Sequence, residues 1–198
     1  MADGKPGGEP KRVPMAAVAT DIVPATSGGF GLEQLFRAHQ SLVLKAAYRV
    51  TGSMSDAEDV LQTVFLRLAG RDFELAMVGN IEGYLHRAAV NAALDIIRSR
   101  QEGRNMPLEN APEPTATSAS AAPDRAQASA EIREWLQTAL SRLSPRAAQV
   151  FALRYLEELD NHEIARMLKV TETSIGVLLH RTRAQLQKDY QKNMRGEK

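Results

Sequence analysis

The sequence of 198 residues contains no cysteine. Without thiols the chain can form neither disulfides nor thiolate metal sites, which is consistent with a reducing cytosol. No apolar run approaches the ~18 residues of a membrane-spanning helix. The N-terminus mixes Gly, Pro, Asp and Lys and contains no signal-peptide core. We therefore expect a cytoplasmic protein that does not insert into a membrane.

The sequence also lacks the usual motifs of catalysis. There is no glycine-rich phosphate-binding loop. His162 and Glu163 begin a pattern typical of zinc proteases, but Arg166 stands at the position where that pattern requires its second histidine. Four scattered histidines without cysteine do not indicate a metal site. We expect no cofactor and no enzymatic activity.

The formal net charge is only +1, so the composition as a whole does not indicate a nucleic-acid-binding protein. The charge is unevenly distributed, however. Residues 131–198 contain 12 Lys and Arg against 9 Asp and Glu, whereas residues 30–100 contain 8 of each. Contact with phosphates requires local positive charge, so the C-terminal part is where DNA contact is expected.

Strand-like alternation of useful length is absent, and apolar residues recur at helical spacing in two separate stretches. We predict an all-α fold with two small helical domains, at residues 30–100 and 131–190. Residues 101–130 are dense in Pro, Ala, Ser and Thr, which predicts a flexible linker. Residues 1–29 are predicted to be a disordered tail and residues 191–198 a basic C-terminal tail.

A helix-turn-helix pattern closes the second domain. Asp160 and Glu163 have capping-box spacing, which predicts the start of a short helix. Thr171 is a suitable N-cap for a second helix, and Ile175 would fill the angle between the two. Lys169 occupies the turn, where Gly is common, at a cost of about 1 kcal/mol. By spacing alone, an ordinary helical hairpin is an equal alternative to a DNA-reading pair.

Two helices of the first domain carry polar faces. Ser55 and Glu58 have capping-box spacing and predict a helix that runs to about Ala69, with carboxylates over its first turns. Carboxylates stabilise a helix N-terminus through the helix dipole. Charge alone therefore favours this structural explanation of the carboxylates over a docking surface for a basic partner. Asn80 is predicted to cap the next helix, from Ile81 to about Arg100. Its Arg, Asn and aromatic side chains suit unpaired bases and phosphates, although a solvated face is the simpler explanation.

Three segments resemble, in chain order, parts of the bacterial extracytoplasmic-function (ECF) RNA polymerase sigma factors. Residues 56–67 (DAEDVLQTVFLR) are similar to the polymerase-docking helix of that family. Residues 84–98 (YLHRAAVNAALDIIR) are similar to the helix that opens the −10 promoter element. Residues 143–157 (LSPRAAQVFALRYLE), followed by the pair at 160–183, resemble the −35-reading domain. The resemblance implies a sigma factor with region 2 and region 4 domains that directs promoter-specific initiation.

The resemblance implies that the acidic helix binds core RNA polymerase at the clamp of its largest subunit. The implied polymerase-binding residues are Asp56, Glu58, Asp59, Gln62 and Phe65. Complementary charge would set the register and the encounter rate at this surface. The family usually has a Glu where this chain has Thr63, so one contact is expected to be missing.

The resemblance also implies two surfaces for promoter DNA. The implied −10 residues are Arg87, Asn91, Asp95 and Arg98, with the loop 70–80 holding a flipped base. The implied −35 residues are Thr173, Ser174, Gly176, Val177, His180, Arg181 and Arg183. Val177 would touch a thymine methyl and Arg181 a guanine or a phosphate. Because the family favours basic and hydroxyl residues at positions 176–178, we expect modest −35 affinity.

Two other classes of protein remain open at this point. A conventional helix-turn-helix regulator would bind duplex operator DNA as a symmetric dimer and without core polymerase. A polymerase-binding antagonist would need the acidic helix but neither Asn91 nor Arg181. If the chain is a sigma factor, the family further implies an anti-sigma factor as a possible partner, wedged between the two domains.

Overall fold

A computed structural model describes residues 28–70, 80–104 and 123–194. Within these ranges the chain forms seven helices and no strand, which confirms the predicted all-α fold. The helices are α1 (Gly28–Thr51), α2 (Met54–Ala69), α3 (Ile81–Arg104), α4 (Pro123–Arg142), α5 (Pro145–Tyr155), α6 (Asn161–Leu168) and α7 (Glu172–Met194). None of them combines the length and the apolar character needed to cross a bilayer.

Several predicted segments lie outside the described residues. They are nearly all of the predicted N-terminal tail, most of the loop expected to hold a flipped base, the centre of the predicted linker and the last four residues. At the edges of the predicted linker, α3 runs on to Arg104 and α4 already begins at Pro123. The first four residues of the predicted C-terminal tail belong to α7.

The first three helices pack on one another around fully buried apolar side chains such as Val43, Val60 and Leu85. Gly52 ends α1 with φ of 65°, a left-handed conformation that glycine adopts without steric cost. Ser53 then caps α2 by accepting a hydrogen bond from the Asp56 backbone N–H. The prediction that Ser55 is the cap was therefore wrong by two residues.

In the second group of helices, α4–α7, the two caps predicted for the helix-turn-helix pair are present. Ser144 caps α5, with Pro145 in its first turn. Asp160 and Glu163 form a complete capping box at α6, and Thr171 Oγ1 accepts a hydrogen bond of 3.2 Å from the Ser174 backbone N–H at the start of α7. Lys169 adopts the left-handed conformation, with φ of 54°, that the turn was predicted to require. Local chemistry thus accounts for the whole helix-turn-helix pair.

The two helical groups touch. Helix α3 contacts α4, α5 and α6 in addition to α1 and α2. At the end of α1, a Cβ atom on Gly52 would clash with Arg133 Cδ of α4, so the missing side chain allows a close approach. The contact between α3 and α5 brings the two halves of the candidate site together.

Candidate functional site

One face of α2 exposes an acidic and polar strip, which we call the docking face: Glu58, Asp59 and Gln62. At 3.6 residues per turn these three side chains fall on one side of the helix. Phe65 lies behind them, 7% exposed, with its ring 4.9 Å from that of Phe36 in an edge-on arrangement. A packed aromatic pair thus supports the docking face from behind, and Phe65, which the resemblance implied as a polymerase-binding residue, is buried in the free protein.

Asp56 does not belong to the docking face. It is 3% exposed and its carboxylate forms an ion pair with Arg100 of α3. Helical geometry explains the difference, because Asp56 projects from another side of α2 than Gln62. Asp56 was predicted to bind polymerase, but its side chain is buried and joins α2 to α3.

Leu66 is a residue of this surface that the sequence analysis missed. It is 70% exposed and stands one turn after Gln62, on the docking face. A large apolar side chain surrounded by polar ones is typical of the centre of a protein interface. The signal was available in the helical spacing, which places Leu66 four residues after Gln62 on the same side of α2.

A single stripe along α3, which we call the reading face, carries all four predicted −10 residues: Arg87, Asn91, Asp95 and Arg98. The Arg87 guanidinium carbon lies 5.9 Å from the centre of the Tyr84 ring, which keeps an aromatic group and a cation together. Arg98 Nη1 lies 3.4 Å from Asp95 Oδ1, and Arg98 Nη2 is buried without a hydrogen-bond partner among the described residues.

Asn91, in the middle of the reading face, is covered by the other helical group. Its Oδ1 accepts a hydrogen bond of 2.6 Å from Gln149 Nε2 of α5. Gln149 is itself 8% exposed. The amide that was predicted to contact promoter DNA is therefore already bound to a side chain of the same protein.

Next to this contact lies a charged cluster that the sequence analysis did not anticipate. The Glu157 side chain, which follows α5, is 1% exposed. Its Oε2 lies 3.2 Å from Arg49 Nη1 of α1 and 3.1 Å from His86 Nδ1 of α3. These contacts join residues far apart in the sequence, so no local pattern could have indicated them.

The start of α7 presents the predicted −35 residues to solvent. Thr173, Ser174, His180, Arg181 and Arg183 are exposed, and Val177 is 47% exposed. Gly176 has open space where a side chain would be. Helical spacing puts Thr173, Ser174, Val177, His180 and Arg181 on one side, the recognition face, with Gly176 and Arg183 at its edge.

An open groove of 430 Å³ runs along this face and is lined by Thr171, Thr173, Ser174, Val177, Leu178 and Arg181. Beside it, His162 Nδ1 of α6 lies 2.7 Å from Glu172 Oε1 at the first residue of α7. The recognition face exposes hydroxyl groups, one apolar side chain and guanidinium groups. Hydroxyl and guanidinium groups can hydrogen-bond base edges in the major groove, and an apolar side chain can contact a thymine methyl group there. The arrangement suits the end of a helix laid against duplex DNA.

Comparison with known proteins identifies the family. Residues 35–103 match the family Sigma-70 region 2, and residues 133–186 match Sigma-70, region 4. Over 184 residues the chain is 30% identical to the ECF RNA polymerase sigma factor SigE of Mycolicibacterium smegmatis, covering 92% of this chain and 70% of the relative. The chain belongs to the ECF RNA polymerase sigma factors.

Two further similarities complete the comparison. The sigma factor is 29% identical over 157 residues to the RNA polymerase sigma-E factor of Streptomyces avermitilis, covering 79% of this chain and 83% of the relative. Among solved structures, it is loosely similar to the sigma factor RpoE from Bartonella quintana, solved with the anti-sigma factor NepR. That likeness has a TM-score of 0.48 at 16% identity and covers 81% of this chain and 97% of the other.

The family membership settles the general function. A sigma factor binds core RNA polymerase and promoter DNA and directs promoter-specific transcription initiation. The docking and reading faces fall within the region 2 match, and the recognition face falls within the region 4 match. The presence of both regions does not favour a conventional helix-turn-helix regulator.

Proposed function

We propose that this sigma factor divides its contacts among the three faces defined above. The docking face would bind the clamp of the largest polymerase subunit. The reading face would capture the −10 element, and the recognition face would read the −35 element. The supporting observation is that the side chains chosen by family resemblance fall on three separate helix faces, with the buried Asp56 and Phe65 as the exceptions.

At the docking face, the chemistry favours a basic partner surface with an apolar pocket. Glu58 and Asp59 would steer and orient the encounter, whereas Leu66 would contribute most of the buried apolar area. Phe65 would act indirectly by supporting the helix from behind. Gln62 would add hydrogen bonds at the same surface.

At the −10 element, Asn91 would hydrogen-bond an unstacked base of the non-template strand, while Arg87 and Arg98 would contact phosphates. Asp95 would orient Arg98, which it already pairs with. Extruding a base costs pairing and stacking energy, so these contacts would act only after polymerase has positioned the duplex.

At the −35 element, Arg181 and Val177 are the proposed specificity residues. Thr173, Ser174, His180 and Arg183 would contact phosphates or base edges around them. The small side chains at positions 176 and 177 limit the number of polar base contacts. We therefore expect the −10 contacts and polymerase to supply most of the binding.

The proposal extends to the cell. The protein would work in the cytoplasm, where bacterial RNA polymerase is, and an anti-sigma factor would be its natural antagonist, as the family suggests. Such an antagonist would compete with core polymerase for the docking face, so adding core enzyme in excess should displace it.

The decisive experiment is run-off transcription with purified sigma-free core polymerase on a genomic fragment library. We expect discrete transcripts that share upstream −10 and −35 sequences, and co-purification of the sigma factor with core enzyme.

Replacing Asn91 by Ala should abolish open-complex formation on the promoters found, whereas Asp95→Asn should weaken it. A chain that neither directs initiation nor associates with core enzyme would refute the proposal.

A further inference from the structure

Helix α7 continues beyond the part of the chain that matches region 4. The match ends at residue 186, whereas α7 runs on to Met194. At about 1.5 Å per residue, the helix extends about 27 Å from Ser174 to Lys192. The major groove of B-DNA is only about 12 Å wide and about 8.5 Å deep. When the first turns of α7 read bases in the groove, its last turns therefore lie outside the groove, near the phosphates at its edge.

These last turns carry basic side chains in line with the recognition face. Lys188 follows Arg181 by seven residues and Lys192 follows it by eleven, and both spacings return to the same side of a helix. We call Arg181, Lys188 and Lys192 the basic stripe. All three side chains are exposed, and none of them forms an ion pair within the described part of the chain. Their charges are therefore free to meet a partner.

Negative charge is nearly absent from this part of α7. From Arg181 to Lys192 the helix carries four basic residues and one acidic residue. The acidic one, Asp189, is half-buried and projects from another side of the helix than the stripe. A solvated face that serves solubility alone commonly mixes both signs of charge. Charge of one sign, in line with a DNA-reading surface, instead favours contact with phosphates.

We propose that the basic stripe extends the DNA contact of α7 beyond the −35 element, with Lys188 and Lys192 binding phosphates of the flanking duplex. Lysine suits this task, because its ammonium group binds a phosphate as a point charge and reads no base. The stripe adds affinity on any sequence, which offsets the small number of polar base contacts at positions 176 and 177. This inference rests on the proposed −35 role of the recognition face.

The salt dependence of promoter binding tests the contact. The holoenzyme is titrated onto a duplex promoter found by run-off transcription. Each phosphate contact releases a counterion, so the double variant Lys188→Gln/Lys192→Gln should reduce the slope of log affinity against log salt by about 2. The advantage of the unmutated chain should accordingly shrink by about tenfold between about 50 and 200 mM salt. An unchanged slope would overturn the proposal.

A matched pair of glutamines separates the position of the stripe from the net charge of the chain. Gln185 lies on the stripe, between Arg181 and Lys188, whereas Gln187 projects from another side of α7, and both are exposed. Gln185→Lys should steepen the salt slope by about 1, and Gln187→Lys should leave it at the unmutated value. Both variants change an exposed helix position, so both should fold. Equal steepening in the two would show an effect of net charge alone and would reject the stripe.

Neutral methylphosphonates locate the contact on the DNA. They replace single phosphates on either side of the −35 element, in each strand in turn. We expect one or two flanking positions at which this replacement weakens binding by the unmutated chain but not by Lys188→Gln/Lys192→Gln. If the lysine variant instead weakened the binding of core polymerase in the absence of DNA, the stripe would belong to a protein contact and the proposal would fail.

Base preference separates this proposal from the one on which it rests. Lys188→Gln/Lys192→Gln should weaken binding equally on templates with each −35 base pair changed in turn, whereas Arg181→Ala should alter the preference. A changed preference in the lysine variant would overturn the phosphate assignment. If the preference survives Arg181→Ala while the lysine variant still reduces the salt slope, base reading by Arg181 is refuted and the phosphate contact stands.

Discussion

Asp56 of α2 and Arg100 of α3 form an ion pair between residues that are 44 positions apart in the chain. The Asp56 side chain is 5% exposed and that of Arg100 is 48% exposed, so one partner is buried while the other still meets water. The pair connects the helix that carries the docking face to the helix that carries the reading face. It is a structural link, although its sequence position suggested a contact with polymerase.

The first prediction separates Asp56 from Asp59. Asp56→Asn should lower the free energy of unfolding by about 1–2 kcal/mol, because a buried carboxylate loses its charge next to Arg100 while water screens part of that attraction. Asp59→Asn should leave stability unchanged and weaken binding to core polymerase. Urea unfolding and a core-polymerase binding titration would distinguish the two. If Asp56→Asn weakened binding without affecting stability, Asp56 would have to be restored to the docking surface.

The second prediction concerns Leu66. Leu66→Ala should reduce the affinity for core polymerase by about tenfold, since truncation of a central apolar contact commonly has such an effect. The melting temperature should hardly change, because the side chain is 70% exposed in the free protein. Ile132→Ala is the control: Ile132 is 52% exposed on α4, away from the docking face. Equal affinities of the two variants would remove Leu66 from the interface.

The third prediction tests the recognition face. Arg181→Ala should weaken binding of the holoenzyme to its promoter by about tenfold or more and relax the preference for one base in the −35 element. The control is Arg142→Ala, which removes the same charge at an exposed position at the end of α4. Binding titrations on templates with each −35 base pair changed in turn would measure both effects. An unaltered base preference would assign Arg181 to a phosphate instead.

The fourth prediction concerns the left-handed residue between α6 and α7. Lys169→Gly should stabilise the chain by about 0.5–1 kcal/mol, because glycine adopts φ of 54° without the steric cost that a Cβ atom causes. The removal of this cost should outweigh the extra conformational freedom that glycine has in the unfolded state. Lys169→Ala retains the cost and should show no gain. Thermal unfolding of both variants gives the comparison. A stability order in which alanine exceeds glycine would mean that the turn is not strained.

The sequence predicted those features that depend on neighbouring residues. The caps at Asp160 and Thr171 and the left-handed position at Lys169 are all decided within a few residues. The misplaced cap shows the limit of this reasoning. Ser53 and Ser55 are each followed by a carboxylate three residues later, and the left-handed Gly52 just before Ser53 decides between them.

The remaining features depend on contacts between distant parts of the chain. Asn91 and Gln149 are 58 positions apart, and Arg49 and Glu157 are 108 apart. Helical periodicity orders the faces of one helix but does not say which face another helix will cover. The residues of the reading face were therefore predictable, whereas the covering of that face by α5 was not.

Gly52 has a consequence beyond the end of α1. Gly52 has no Cβ atom, and a Cβ atom at this position would clash with the Arg133 side chain of α4. The absence of a side chain at position 52 thus allows the two helical groups to approach closely at this point. Enlarging Gly52 offers a way to loosen their association while every side chain that faces nucleic acid or polymerase is left intact.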